Sequence, residues 1–451
     1  MLGVVVSHAD AASTHIGEQL RSLRDWDESV DETRPDAEGG GTVYRTDGVE
    51  LREFEALHLD IEDAAAAFPD PDLLVFASKH AGETDELLTA HHTGNFGVAE
   101  FGGEDGQFAR ACPGAHATVV SALRRHAPPV YEVGMECTHH GPTAVGVPSM
   151  FVEVGSAEAQ WKDPEAAEAV ARAILDLAEE PADKPRENGT RRHLLGVGGG
   201  HYAPRFERVV RETDWAVGHI AADWSLDALA EWADSDAERD AVLERALRAS
   251  AADYALMEGD RPAIQAAIES LGYRVVSETF VQETTGVDLG LVEALEDAVR
   301  PVDDGLRFGA LAPGYDGEWT VVDLPDGLLS DAQGIDSEAL RETLDRQSIA
   351  YATEQNGTVL TGPIVCPATT DLTAVVDSLV GILERRFDSV ERTAGELVAR
   401  ETAFDPDLAR TADIPEGPKF GKLASGQSIE VDGEEIDPER FQRERIRRYT
   451  L

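Results

Sequence analysis

Lysine is scarce in this chain of 451 residues. Of 39 basic side chains only five are lysines: Lys79, Lys162, Lys184, Lys419 and Lys422. They face 87 acids, for a formal net charge of −48. The acids are scattered over 25–32, 50–62, 234–240 and 434–439 rather than gathered in one tail, which excludes a disordered acidic tail. A salt-adapted surface fits better, well hydrated and poor in flexible cations. At molar salt the Debye length falls to about 3 Å, so such a charge raises no long-range objection to a nucleic-acid partner. Recognition would then rest on shape, stacking and close hydrogen bonds.

Cysteine is scarce too. Cys112, Cys137 and Cys366 form no C-x-x-C, which excludes a disulfide scaffold and a cysteine-rich zinc module. No apolar run is long enough to span a membrane. The opening M-L-G-V-V-V-S-H-A-D lacks the basic region of a signal peptide and reads as a buried strand. The expectation is a cytoplasmic protein, monomeric, without a membrane partner. There is no H-E-x-x-H, no G-x-S-x-G and no P-loop lysine. Histidine is absent after His219, and all thirteen lie between His8 and that residue. The chemistry is therefore expected in the first half.

What is present concentrates in Tyr131–Ser156. Glu136, Cys137, Thr138, His139 and His140 follow one another between two apolar, β-prone runs, Tyr131–Met135 and Ser149–Val154. Two short strands joined through Gly141, Pro142 and Gly146 are expected. The polar cluster then sits at a strand end, where α/β folds present their chemistry. Neighbouring strand residues face opposite ways, so His139 and His140 can share a pocket only from a turn. The plain structural alternative is one buried, hydrogen-bonded imidazole and one exposed.

Along the chain, 2–7 reads as a central strand and about 16–23 as an amphipathic helix. Residues 25–41 read as an exposed loop, 42–44 and 49–51 as a hairpin around Asp47-Gly48, and 56–60 as a strand. A buried strand at 72–77 ends on Ser78-Lys79-His80. Helices are expected at 113–126, 164–179, 226–232, 240–252 and 261–271, with strands at 194–197 and 273–281. This is an α/β layer pattern. After 275–300 the second part shows its own strands (319–324, 358–364) and helices (337–346, 373–386). It ends in a basic tail, Arg440–Arg448, readable as a tRNA contact or a solvated helix.

Several motifs can carry chemistry, each with a bland reading beside it. Ser78-Lys79-His80 emerges from a strand end, as a pocket wall or as a cap. His91-His92-Thr93-Gly94-Asn95 offers two imidazoles, or a turn held by Thr93 and Asn95. Gly196–Gly200 followed by His201 and Tyr202 lacks the Rossmann spacing. Its glycines allow close backbone approach and N–H donation to an oxyanion or phosphate, or make a flexible turn. Metal ligands would come from separate segments: His80, His91 or His92, His139 or His140, and His201, with Glu136 as carboxylate or base. Imidazole and carboxylate ligands with an open position suit zinc hydrolysis. Cys137 beside histidines could be a nucleophile, though a buried inert thiol is the plainer reading.

Together S-K-H (78–80), H-T-G-N (92–95), Gly102-Gly103, E-C-T-H-H-G-P-T (136–143), P-S-M-F-V-E-V-G-S (148–156) with Trp161 downstream, and G-V-G-G-G-H-Y-A-P-R (196–205) resemble the archaeal and plant type of D-aminoacyl-tRNA deacylase. The resemblance covers about the first 270–285 residues. It implies hydrolysis of the ester joining a D-amino acid to tRNA, zinc dependence, and a three-layer α/β/α fold with a mixed sheet, related to peptidyl-tRNA hydrolase and phosphorylases. The division expected is a deacylase domain over 1–285 and a smaller α+β extension over 286–451, to which the resemblance gives no role. A brief match of P-E-G-P-K-F-G-K-L (415–423) to tRNA 3′-processing nucleases also points toward tRNA. The residues assigned are Glu136, His139, His140 and His201 for catalysis, and Lys79, Thr93, Asn95, Gly198, Gly199, Gly200 and Arg205 for substrate. His80, His92, His140 and His201 are the expected metal ligands. The rival readings are a tRNA- or nucleotide-binding protein without chemistry, and an esterase like peptidyl-tRNA hydrolase.

Overall fold

The structure is a computed structural model and describes residues 1–393, 395–431 and 434–451. The chain divides into two compact units, Met1–Thr285 and Gly286–Leu451.

The first unit is built on an eight-stranded mixed sheet in the order β2-β3-β4-β1-β5-β8-β6-β7. Its strands are β1 (Leu2–Ser7), β2 (Asp27–Asp31), β3 (Gly41–Thr46), β4 (Val49–Phe54), β5 (Leu73–Lys79), β6 (Leu87–His91), β7 (Glu132–Met135) and β8 (Ser149–Gly155). L-G-V-V-V-S is buried at every position because β1 lies mid-sheet with parallel partners on both sides, β4 and β5. Helix α1 (Ala11–Leu23) starts where the Asp10 carboxylate accepts the N–H groups of Ala12 and Ser13. Helix α2 (Pro113–His126) opens with proline at its first position and closes on Arg124, Arg125 and His126, which suit its C-terminal dipole.

Beside it lies a four-stranded parallel sheet of Ala216–Ala221, His193–Val197, Tyr254–Met257 and Arg274–Val276, in that order. Its core is formed by Leu195, Val197, Leu226, Leu229, Leu243 and Ile268 with their neighbours.

Several local expectations give way here. The segment read as an exposed loop contains β2, an exposed acidic edge strand paired with β3. His58–Asp60 is a 3-10 turn rather than a strand. Only Arg274–Val276 of the expected strand 273–281 is extended, because Ser277 caps a new helix, Glu278–Glu283. β7 and β8 are not neighbours, since β6 lies between them, parallel to β7 and antiparallel to β8.

The second unit carries a four-stranded antiparallel sheet of Leu306–Phe308, Ala350–Glu354, Val359–Pro367 and Trp319–Val322. A three-stranded antiparallel sheet follows, made of Ser389–Thr393, Glu396–Phe404 and Gln442–Thr450. The basic tail is thus an edge strand and not a helix. Arg443, Arg445, Arg447 and Arg448 each lie within 4.0 Å of an acid: Asp405, Glu401, Asp331 and Glu396. Among the described residues no helix is long and apolar enough to cross a membrane.

Candidate active site

The site forms where the chain leaves β7 and joins the two sheets. Glu136 bridges Tyr202 in antiparallel fashion. The Cys137 N–H donates to His201 O at 2.8 Å, and the Ala203 N–H donates to Met135 O at 2.9 Å. The Thr138 N–H then donates to Ile220 O at 2.9 Å, in the second sheet. A strand geometry would send His139 and His140 apart. His140 instead adopts φ 46°, in the left-handed region. Both rings therefore meet His91, with centroids 4.2 Å and 4.9 Å away. Gly141 makes this turn possible: a Cβ there would lie 2.4 Å from Gly102 C and Gly103 N.

Glu136 stands at the centre. Its Oε1 is 3.1 Å from His80 Nδ1, and its Oε2 is 2.8 Å from His201 Nε2 and 3.8 Å from His139 Nε2. Glu153, from β8, lies 3.5 Å from His80 and 3.8 Å from His91. His80 Nε2 meets the Tyr202 hydroxyl at 2.9 Å. His139 Nδ1 meets Cys137 O at 2.8 Å and His140 Nδ1 meets Gly141 O at 2.6 Å. A carbonyl only accepts, so both Nδ1 atoms carry hydrogen and both Nε2 atoms are left with a free lone pair.

Burial opposes charge throughout, and the carboxylates decide where it is overcome. His80 loses hydration, yet Glu136 and Glu153 raise its pKa to about 11. His91 is also raised, against burial, by Glu153. Glu136 is held well below the usual carboxylate range despite burial, by His201 and His80. Burial, then the field of His91, keeps His139 neutral and lowers His140 to about 4. The two buried carboxylates thus favour positive charge on His80 and His91, while burial disfavours it on His139 and His140.

The group opens into a cleft of about 850 Å³, lined among others by Lys79, His80, Asn95, His139, His140, Glu153 and His201. Of the residues singled out in the sequence, Glu136, His139, His140, His201 and His80 are brought together. Lys79 lines the cleft, with its ammonium 5.2 Å from the Trp161 ring centroid. Asn95 also lines it, but its amide donates to Gly102 O and Glu104 O. The Thr93 hydroxyl donates to Pro142 O.

Of the expected residues, His92, Thr93, Gly198, Gly199, Gly200 and Arg205 lie outside the cleft lining. His92 follows His91 at the end of β6 and so points to the other face. There its Nδ1 meets Gly218 O, its Nε2 accepts from the Cys112 N–H, and it stands away from the Glu136 group. The Gly198 N–H is spent on Ala221 O. Gly199 accepts from the Asp223 N–H, so this turn sets the start of helix Asp223–Trp232. Arg205 lies outside the cleft lining, 3.2 Å from Glu278.

The profile of a family described as D-aminoacyl-tRNA deacylase matches residues 67–276. The chain is 87% identical to the D-aminoacyl-tRNA deacylase of Haloarcula marismortui and 54% identical to that of Natronomonas pharaonis, over 100% of each chain in both cases. The chain belongs to the D-aminoacyl-tRNA deacylase family. A crystal structure of a conserved protein of unknown function is 31% identical, with TM-score 0.55, and covers 63% of this chain and 98% of its own. The two full-length relatives carry the second unit as well, which the sequence resemblance alone had left outside the family.

Against this family background two residues stand out that motif reading did not assign. Glu153 was visible as a lone acid between Val152 and Val154 in an otherwise apolar strand, a position an acid occupies only with partners. His91 was half of an ambiguous pair that only the strand's facing resolves. Donor atoms here are grouped for a metal: His80, Glu136 and His201 lie mutually within 4.8 Å, as do His91, His139 and His140. Glu136 Oε1 and His91 Nε2 are buried and make no well-aligned hydrogen bond, although His80 Nδ1 lies 3.1 Å from the first and Glu153 3.8 Å from the second. Carboxylate oxygens and imidazole nitrogens grouped in this way fit a shared cation, which would take the imidazoles in their neutral form.

Proposed function

We propose that the cleft around Glu136 hydrolyses the ester bond of D-aminoacyl-tRNA, releasing the free D-amino acid and tRNA. The observation that carries this is buried Glu136 within 3.1 Å of His80 and His201, which line a cleft large enough for a nucleoside ester. Water adds to the ester carbonyl carbon, and the ribose oxygen leaves with a proton. His139 Nε2, neutral and unprotonated, takes the proton from water and returns it to the leaving ribose oxygen. The carbonyl of Cys137 fixes that tautomer. Glu136 orients His201 and stabilises positive charge as it forms on His139. His140 packs beside His139 and restricts its ring.

His80, Glu136 and His201 form a His₂Glu set that suits zinc with one position open. Zinc held there would polarise the ester carbonyl and lower the pKa of a bound water. Lys79 meets the phosphate nearest the ester. Gly198 serves positioning rather than donation, because its N–H is already used. The layering is read as the three-layer α/β/α type shared with peptidyl-tRNA hydrolase and phosphorylases. Residues 1–285 act as the deacylase domain, and 286–451 add affinity for tRNA or stability. The protein works in the cytoplasm as a monomer.

Deacylation of matched D- and L-aminoacyl-tRNA in molar salt tests the reading. D-selective release is expected. Equal inertness toward both would leave a binding protein, and release of peptidyl esters only would point to the peptidyl-tRNA hydrolase alternative.

A further inference from the structure

A folded acidic protein has little reason to leave large aromatics in water, so their location is informative. Among the described residues of Met1–Thr285, the exposed large hydrophobics are Val30, Val98, Phe101, Val130, Tyr202 and Trp224. Val98, Phe101 and Trp224 all line the one cleft that holds the histidine cluster. Phe101 is 65% exposed and Trp224 49% exposed. Trp224 is not a chance surface residue. It is the second residue of helix Asp223–Trp232, whose start is set when the Asp223 N–H donates to Gly199 O at 2.9 Å. Gly198 has φ 95°, and a Cβ on it would lie 2.1 Å from Glu258 O, so the turn admits only glycine there. The indole also reaches the Cys137 thiol. Cys137 Sγ in turn lies 3.9 Å from His201 Nδ1. A ring held at Trp224 is therefore close to the ester-cleaving group without being part of it.

Lysine and arginine are nearly missing from this cleft. Among its lining residues Lys79 is the only lysine or arginine, against Asp10, Glu100, Glu153 and Glu231. Phosphate attraction cannot supply much of the hold on a nucleic acid here, least of all in concentrated salt. Stacking on aromatic faces needs neither charge nor a particular base sequence.

We propose that Trp224 and Phe101 form the shelf on which the adenine of the terminal nucleotide of tRNA stacks. This rests on the reading of the substrate as aminoacyl-tRNA. The ribose that carries the ester also carries this adenine, and the rest of the tRNA must leave toward solvent. The base therefore belongs on the open, aromatic side and the ester on the buried, imidazole side. Because the terminal nucleoside is adenosine in every tRNA, the shelf serves all of them alike. The amino-acid side chain is left to the inner part of the cleft.

The test uses the full chain in molar KCl and an RNA minihelix whose last adenine is replaced by 2-aminopurine, a base whose fluorescence falls when it stacks. Deacylation of D-aminoacyl-tRNA is measured in parallel. Wild type and Trp224→Phe should quench the probe. Trp224→Ala and Phe101→Ala should lose most of the quench and raise KM by about tenfold, with a much smaller change in kcat. Undiminished quenching in both alanine variants, or a fall in kcat at constant KM, overturns the shelf. If wild type deacylates but never quenches, the shelf fails and the substrate reading stands. If wild type quenches but deacylates nothing, the shelf stands and the substrate reading fails.

Discussion

His201 Nε2 lies 2.8 Å from Glu136 Oε2, although the two residues come from segments that extend different sheets. Glu136 follows β7 of the large sheet, and His201 follows the strand His193–Val197 of the smaller one. The pair exists only when both sheets are assembled. The hydrogen bonds of Cys137 to His201 and of Ala203 to Met135 hold that junction. Chemistry and tertiary structure are thus tied to the same few residues.

Buried Glu153 balances His80 and His91. Glu153→Gln keeps the shape and removes the charge. The expected outcome at neutral pH is a loss of ~3 kcal/mol of stability, as for breaking a buried ion pair, with a fall in turnover. Urea titration in constant salt checks the first and single-turnover assays the second.

His219 gives a pH dependence with a defined sign. It is fully buried and neutral, with its Nε2–H donating to Ala109 O and its Nδ1 accepting from the Thr138 hydroxyl. Burial lowers its pKa from 6.5 to about 4. Between those values the unfolded chain binds the proton and the folded chain does not, so stability falls as pH drops from 6.5 toward 4. The contribution amounts to ~3 kcal/mol at the lower end. A His219→Gln variant should show a shallower decline than wild type over that window in denaturant titrations. Parallel declines would contradict it.

The formal charge of −48 predicts that the fold weakens as salt is withdrawn. Like charges interact over about 10 Å at 0.1 M salt and about 30 Å at 0.01 M. Melting temperature should fall between molar and millimolar KCl. An unchanged value would mean that surface repulsion is not what salt relieves.

The sequence exposes what is local. β1 was readable because a strand with parallel neighbours on both sides is apolar throughout, and α2 because proline opens it and basic residues close it. The hairpin of β3 and β4 was readable from Asp47-Gly48. Distant pairing was not: nothing near Tyr131–Ser156 shows that β6 inserts between β7 and β8. In the site, the nearness of Glu136, His139, His140 and His201 follows from segments rich in unusual residues. The choice between His91 and His92 depends on which face of β6 each occupies, and that depends on the register with β8. Glu153 hid inside an apolar strand. The arginines of the tail looked like a basic patch because their acidic partners lie on neighbouring strands and helices, far away in sequence.

The two compact units predict that residues 1–285 fold and deacylate without the rest. At saturating enzyme the truncated form should cleave at a rate near that of the full chain, needing more enzyme to saturate if 286–451 contributes tRNA affinity. A soluble, folded truncation that cleaves nothing would place part of the site in the second unit.

The most direct measurement is single-turnover hydrolysis of D-aminoacyl-tRNA by wild type, Glu136→Gln and His201→Ala at molar KCl, with zinc content and melting temperature recorded for each. The account predicts that both variants stay folded, lose bound zinc and turn over at least about a hundredfold more slowly. Wild-type rates in both folded variants would contradict it.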